Sequence, residues 1–132
     1  MRIPEKYLQK IETIKKAILV RSQLLSEFGK DVKIEVLNLD YNSEVTYEIV
    51  LELEIKGIID CPDCAHFPEH ILQVMEEYRE KVYNASTFYL DKDLTIKSGH
   101  SLRGVLVDSF NYNFDQITNL TFSIFFDPGD NY

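Results

Sequence analysis

The chain has 132 residues and a formal net charge of −8, with 45% hydrophobic and 27% charged residues. That size fits one domain spanning 1–132 and excludes two of ordinary size. With five Gly, four Pro and no apolar run near the roughly 20 residues of a spanning helix, collagen-like and membrane-spanning chains are excluded. The acidic balance argues against general affinity for nucleic acid or anionic membrane.

The first predicted element is a long helix over 4–28. Pro4 suits its first turn, and Tyr7, Leu8, Ile11, Ile14, Ala17, Ile18, Leu25 and Phe28 recur at helical spacing. Gly29 is the expected left-handed cap. The opposite face carries Lys6, Lys10, Lys15, Lys16 and Arg21.

A short strand follows at Val32 to Leu39, then a polar loop over 40–44. Val45, Tyr47, Ile49, Leu51, Leu53 and Ile55 alternate with Thr46, Glu48, Glu52, Glu54 and Lys56, broken only by Val50. This is period-2 patterning with one dry and one wet face, the signature of an antiparallel strand. The glutamates read as solubility and edge-protecting groups.

Residues 60–67 form a loop with both cysteines, and Pro68 opens a second helix running to about Tyr83. Its apolar stripe is Ile71, Val74, Met75, Tyr78 and Val82, which reads as core packing against the sheet. The last third reads as β. Two short candidates lie at Ser86 to Leu90 and Leu94 to Lys97, with a turn at 98–101. A strand follows at 102–114 with Leu102, Leu106, Phe110, Tyr112 and Phe114 on one side, interrupted by Asp108. A final strand alternates Leu120, Phe122, Ile124 and Phe126. The order α-β-β-α-β-β-β gives an α+β fold, a mostly antiparallel sheet with helices on one face.

Charge divides along the chain. Residues 1–30 sum to +4 and residues 31–132 to −12. A basic helix on an acidic body can pair head-to-tail with a second copy, and such contacts close into rings where the rotation allows. The plainer reading is a solvated helix face.

The one cluster with ligand chemistry is Cys61, Cys64, His66 and His70. Zinc takes four N/S ligands in a tetrahedron, and C-x-x-C is a good half-site. The single residue before His66 is unlike finger spacing, however, and Pro68 disturbs the pairing of His66 with His70. A thioredoxin-like redox site is a further reading, but a hairpin precedes the motif where a βαβ unit is needed. The bland reading is two partly buried thiols in a loop. The N-terminus lacks a signal-peptide pattern, so synthesis in the cytoplasm is expected and the sequons at Asn84 and Asn119 read as chance. No glycine pattern forms a phosphate loop, and no spacing pairs a histidine with a carboxylate for acid–base work. No catalytic, cofactor-binding or metal residue is assigned.

The stretch from Val105 through Asp108, Phe110, Tyr112 and Phe114 to Asp115, followed by Leu120, Phe122, Ile124 and Phe126, resembles the end of tail terminator and tail-completion proteins of long-tailed bacteriophages. The pattern covers 105–126, and the order of elements extends the likeness along the chain. The Cys61–Cys64 loop and the long strand over 45–56 depart from it. The resemblance implies a non-enzymatic virion protein without cofactor. It forms a homo-oligomeric, hexameric ring that caps the tail tube and joins it to the head-side connector. Two other expectations stand beside it. One is an acidic inhibitor or immunity-type protein bound to a basic nuclease or defence complex, consistent with the −12 body. The other is a small zinc-stabilised adaptor.

Overall fold

A computed structural model of the chain describes residues 5–24, 32–39, 49–113 and 115–128, with the backbone alone described for Lys6 and for 32–39. Helix α1 (Glu5–Ser22) is followed by strands β1 (Val32–Leu39) and β2 (Ile49–Asp60), a short 3-10 turn (Pro62–Ala65) and helix α2 (His70–Ala85). The hairpin strands β3 (Tyr89–Leu90) and β4 (Ile96–Lys97) lead to the long strands β5 (Leu102–Asn113) and β6 (Gln116–Phe126). The α+β class and the antiparallel pairing expected from the sequence are what the structure has.

The main sheet runs β1-β2-β6-β5, antiparallel throughout, and β3-β4 form a separate two-stranded ribbon. One face of the sheet is dry. Ile49, Leu51, Leu53 and Ile55 of β2 and Ile117, Leu120, Phe122, Ile124 and Phe126 of β6 are fully buried there. Tyr7, Ile11, Ile14 and Ile18 of α1 and Ile71, Met75, Tyr78 and Val82 of α2 close over them in one cluster. Each such side chain taken from water contributes about 1.5–3 kcal/mol, so this layer is the main source of stability. Arg79 ties α2 to the sheet edge: its guanidinium donates to the Val105 carbonyl at 3.3 Å and grips Glu76 at 2.6 and 2.8 Å. That grip holds the Glu76 carboxyl below its ordinary range.

Several expectations are corrected. Helix α1 ends at Ser22, where Gln23 takes the left-handed conformation (φ 65°) expected at Gly29. The expected extension over 25–28 and Gly29 lies outside the described residues, as do Pro4, residues 40–48 and Phe114. Leu8, placed on the apolar stripe, is 51% exposed. Strand β2 runs on to Asp60, and it lies between β1 and β6, so Glu52 and Glu54 protect no edge. Val50, the break in the pattern, pairs with Phe125 on the outer face and is buried, so that end of the outer face is not wet.

Strand β5 departs most. Its register with β6 shifts three times, between Leu102 and Gly104, Val107 and Ser109, and Ser109 and Asn111. The first two carry the extra residue on β5 and move its following side chains to the other face, and the third carries it on β6, beside Asn119. Leu102 and Val105 are buried, whereas Leu106, Phe110 and Tyr112 are exposed.

Candidate functional site

The helices cover one face of the sheet, and the other face presents the candidate site. Its residues follow from the strand register. Val50, Glu52 and Glu54 of β2 stand opposite Phe125, Ser123 and Thr121 of β6. Gly104, Leu106 and Ser109 of β5 stand opposite Phe125, Ser123 and Thr121 from the other side. The Ser123 hydroxyl donates to the Asp108 carboxylate across the β5–β6 pair. Asp108, an unexplained interruption in the sequence, is therefore the residue of a β-bulge turned onto this face and held there by Ser123.

Below this pair the sheet bends. Lys56 and Gly57 of β2 occupy the gap opposite Asn119, and Phe110 of β5 stands in the same row. Asn119 itself is left-handed (φ 55°), a conformation asparagine tolerates better than most residues. The irregularities of three strands thus coincide, and a shallow depression of about 430 Å³ opens there. Its lining includes Glu54, Ser109, Phe110, Asn111 and Thr121, and Lys56 sits 3.9 Å from Glu54. Bulges of this kind re-aim side chains and are common beside functional surfaces. Gly57, alone inside an alternating strand, was the sequence signal for the bend.

The Cys61–His70 cluster matches neither the zinc reading nor the free-thiol reading of its sequence. Cys61 and Cys64 are joined as a disulfide, with Cα atoms 5.3 Å apart, and both are buried. The reading of two partly buried free thiols is corrected accordingly. His66 is exposed, and His70 packs its ring on Phe67 at 5.6 Å. The four side chains do not converge, and among the described residues no group of three or more His, Cys, Asp and Glu is placed to hold a metal ion.

The basic face of α1 is also less free than its sequence implied. Lys10 donates to the Asp93 carbonyl and the Thr95 hydroxyl, and Arg21 lies over the Phe88 ring at 5.7 Å. Lys16 is exposed and Lys15 half-buried. Part of the basic face is therefore engaged within the chain, and the face is not wholly solvated.

Fold and face together define an α+β protein with an antiparallel sheet, whose second side, among the described residues, carries no helix and presents exposed Leu106 beside carboxylates. Comparison of the chain with protein families, curated proteins and solved structures found no match. No helix among the described residues is long and apolar enough to cross a membrane.

Proposed function

We propose that this chain is a non-enzymatic structural subunit of a phage tail or neck, assembling through its open sheet face into a hexameric ring. The ring caps the tail tube and joins it to the head-side connector, and its place is the virion after synthesis in the host cytoplasm. The observation that carries the reading is the exposure of Leu106 (58%) and Phe110 (40%) around Asp108 on strand β5, an edge of the main sheet. Large apolar groups on a strand whose outer backbone edge has no partner strand among the described residues suit addition of a neighbouring subunit. A cyclic assembly covers such an edge on every copy. Mass measurement of the purified chain by light scattering tests this; a ring of six is expected, and a monomer at all concentrations contradicts it.

A second reading is an acidic inhibitor of a basic nuclease or defence protein. It is favoured by the exposed carboxylates Asp63, Glu69, Glu77 and Glu80 in and before α2. Complementary charge speeds such an encounter and makes it sensitive to salt. One-to-one, salt-sensitive binding to a basic partner by a monomeric chain supports this reading over the ring.

A further inference from the structure

The Cys61–Cys64 pair lies at the margin of the core cluster, away from the open sheet face. It sits at a joint. The Cys61 N–H donates to the Asp115 carbonyl at 2.7 Å, at the tip of the β5–β6 hairpin. The Tyr112 phenol, near the same tip, donates to the Cys64 carbonyl at 3.0 Å. Between the cysteines Pro62 opens the 3-10 turn, and the Phe67 N–H then closes onto the Asp63 carbonyl at 2.7 Å as the chain turns toward α2. The end of β2, the approach to α2 and the hairpin tip are therefore held by one short turn, with Cys61 before it and Cys64 within it.

We propose that Cys61 and Cys64 form a thiol–disulfide latch on this joint, closed by a low-molecular-weight disulfide such as glutathione disulfide and opened by a dithiol. In closing, the Cys61 thiolate attacks one sulfur of the external disulfide and releases a thiolate, leaving a mixed disulfide on Cys61. The Cys64 thiolate then attacks the Cys61 sulfur and releases the second thiolate. Two protein thiols are oxidised, one external disulfide is reduced to two thiols, and the two protons leave to water. The exchange balances equally with Cys64 as the first nucleophile. A ring closed over so few residues removes little entropy from the unfolded chain, so the latch acts locally. It fixes the spacing of the Cys61 N–H and the Cys64 carbonyl, the two backbone groups on which the hairpin tip is docked. This inference stands apart from the proposed ring.

The test compares the full chain after equilibration with glutathione disulfide and after reduction with dithiothreitol. Alkylation in denaturant followed by intact mass reads the redox state. Hydrogen exchange reads the joint. The oxidised chain is expected to take up no alkyl group and the reduced chain to take up one on each cysteine. Reduction is expected to speed exchange about tenfold in peptides spanning 61–67 and 112–116 and to leave α1 and the centre of the sheet unchanged. Full alkylation after oxidation, or identical exchange at the joint in both states, overturns the proposal. The Cys61→Ala, Cys64→Ala double variant is expected to match the reduced chain and to ignore the redox buffer. A folded variant that still responds also overturns it, and if the variant does not fold, the wild-type comparison decides.

Discussion

The Lys10 ammonium donates to the carbonyl of Asp93 at 2.9 Å, joining α1 to the β3–β4 hairpin across 83 residues of chain, and its second bond goes to the Thr95 hydroxyl at 3.0 Å. A residue that reads from the sequence as solvated helix surface is thus a long-range tether. Lys10→Met keeps the apolar stem and removes the donors. The expected loss is about 1 kcal/mol, the ordinary net worth of an exposed hydrogen-bonded group, read as a lower urea midpoint at unchanged slope. Lys16→Met, on the exposed side of the same helix, is expected to change nothing measurable.

The hairpin that Lys10 grips is organised by Asp91. Its carboxylate accepts from the backbone of Asp93 and of Thr95, each at 2.9 Å, and meets Lys97 at 3.0 Å. Burial pushes its pKa up, but the Thr95, Lys97 and Asp93 donors outweigh it and hold the group below the ordinary aspartate range. A carboxyl whose folded pKa is depressed stabilises fully above its unfolded value and loses that contribution as pH falls through the folded value. Asp91→Asn is therefore expected to cost roughly 1 kcal/mol at neutral pH. The gap to the wild type should close in acid, below about pH 4. Urea unfolding at both pH values checks this, and a gap constant with pH contradicts it.

Gly99 and Gly104 make an internal comparison. Gly99 sits at φ 115°, where an added Cβ is strained whatever space surrounds it, whereas a Cβ at Gly104 meets nothing within 4 Å. Gly99→Ala is expected to cost about 1–3 kcal/mol. Gly104→Ala should be neutral or stabilising by a few tenths, since it also restricts the unfolded chain. Thermal melts of the two variants separate these outcomes.

Phe122 and Leu106 test the register of the β5–β6 pair. Phe122 is fully buried, and Phe122→Ala is expected to cost about 3–5 kcal/mol. Leu106 is 58% exposed in the subunit, and at dilutions where the chain is monomeric Leu106→Ala is expected to stay within about 0.5 kcal/mol. A large loss at Leu106 would place that side chain in the core and contradict the bulged register.

The contrast between these two residues marks what the sequence made legible. In strand β6 Leu120, Phe122, Ile124 and Phe126 fall on every second position and are all fully buried, so that face follows from a count of two. The stripe of α2 is equally direct, with Ile71, Met75, Tyr78 and Val82 all buried. In β5, by contrast, register shifts re-phase the alternation, so that Leu106 falls opposite Ser123 on the open face, while Tyr112 pairs with buried Ile117 near the hairpin tip and stays 41% exposed. Bulges depend on the partner strand and leave little local trace beyond Gly57 in β2 and Asn119 in β6. The candidate surface was hidden for the same reason, since Asp108 gains meaning only when Ser123 is set across from it. Cys61 and Cys64 were visible as a motif, but their approach follows from the 3-10 turn between them, whose Cys64 N–H donates to the Cys61 carbonyl at 2.9 Å.

The most direct test of the account is the solution mass of the wild-type chain beside that of a Leu106→Asp, Phe110→Asp double variant, both followed by circular dichroism. The account predicts a ring of six for the wild type and a folded monomer for the variant, because the added charges face solvent in the subunit and the neighbour in the assembly. A wild-type chain that stays monomeric at every concentration, or a variant that still assembles, would contradict it.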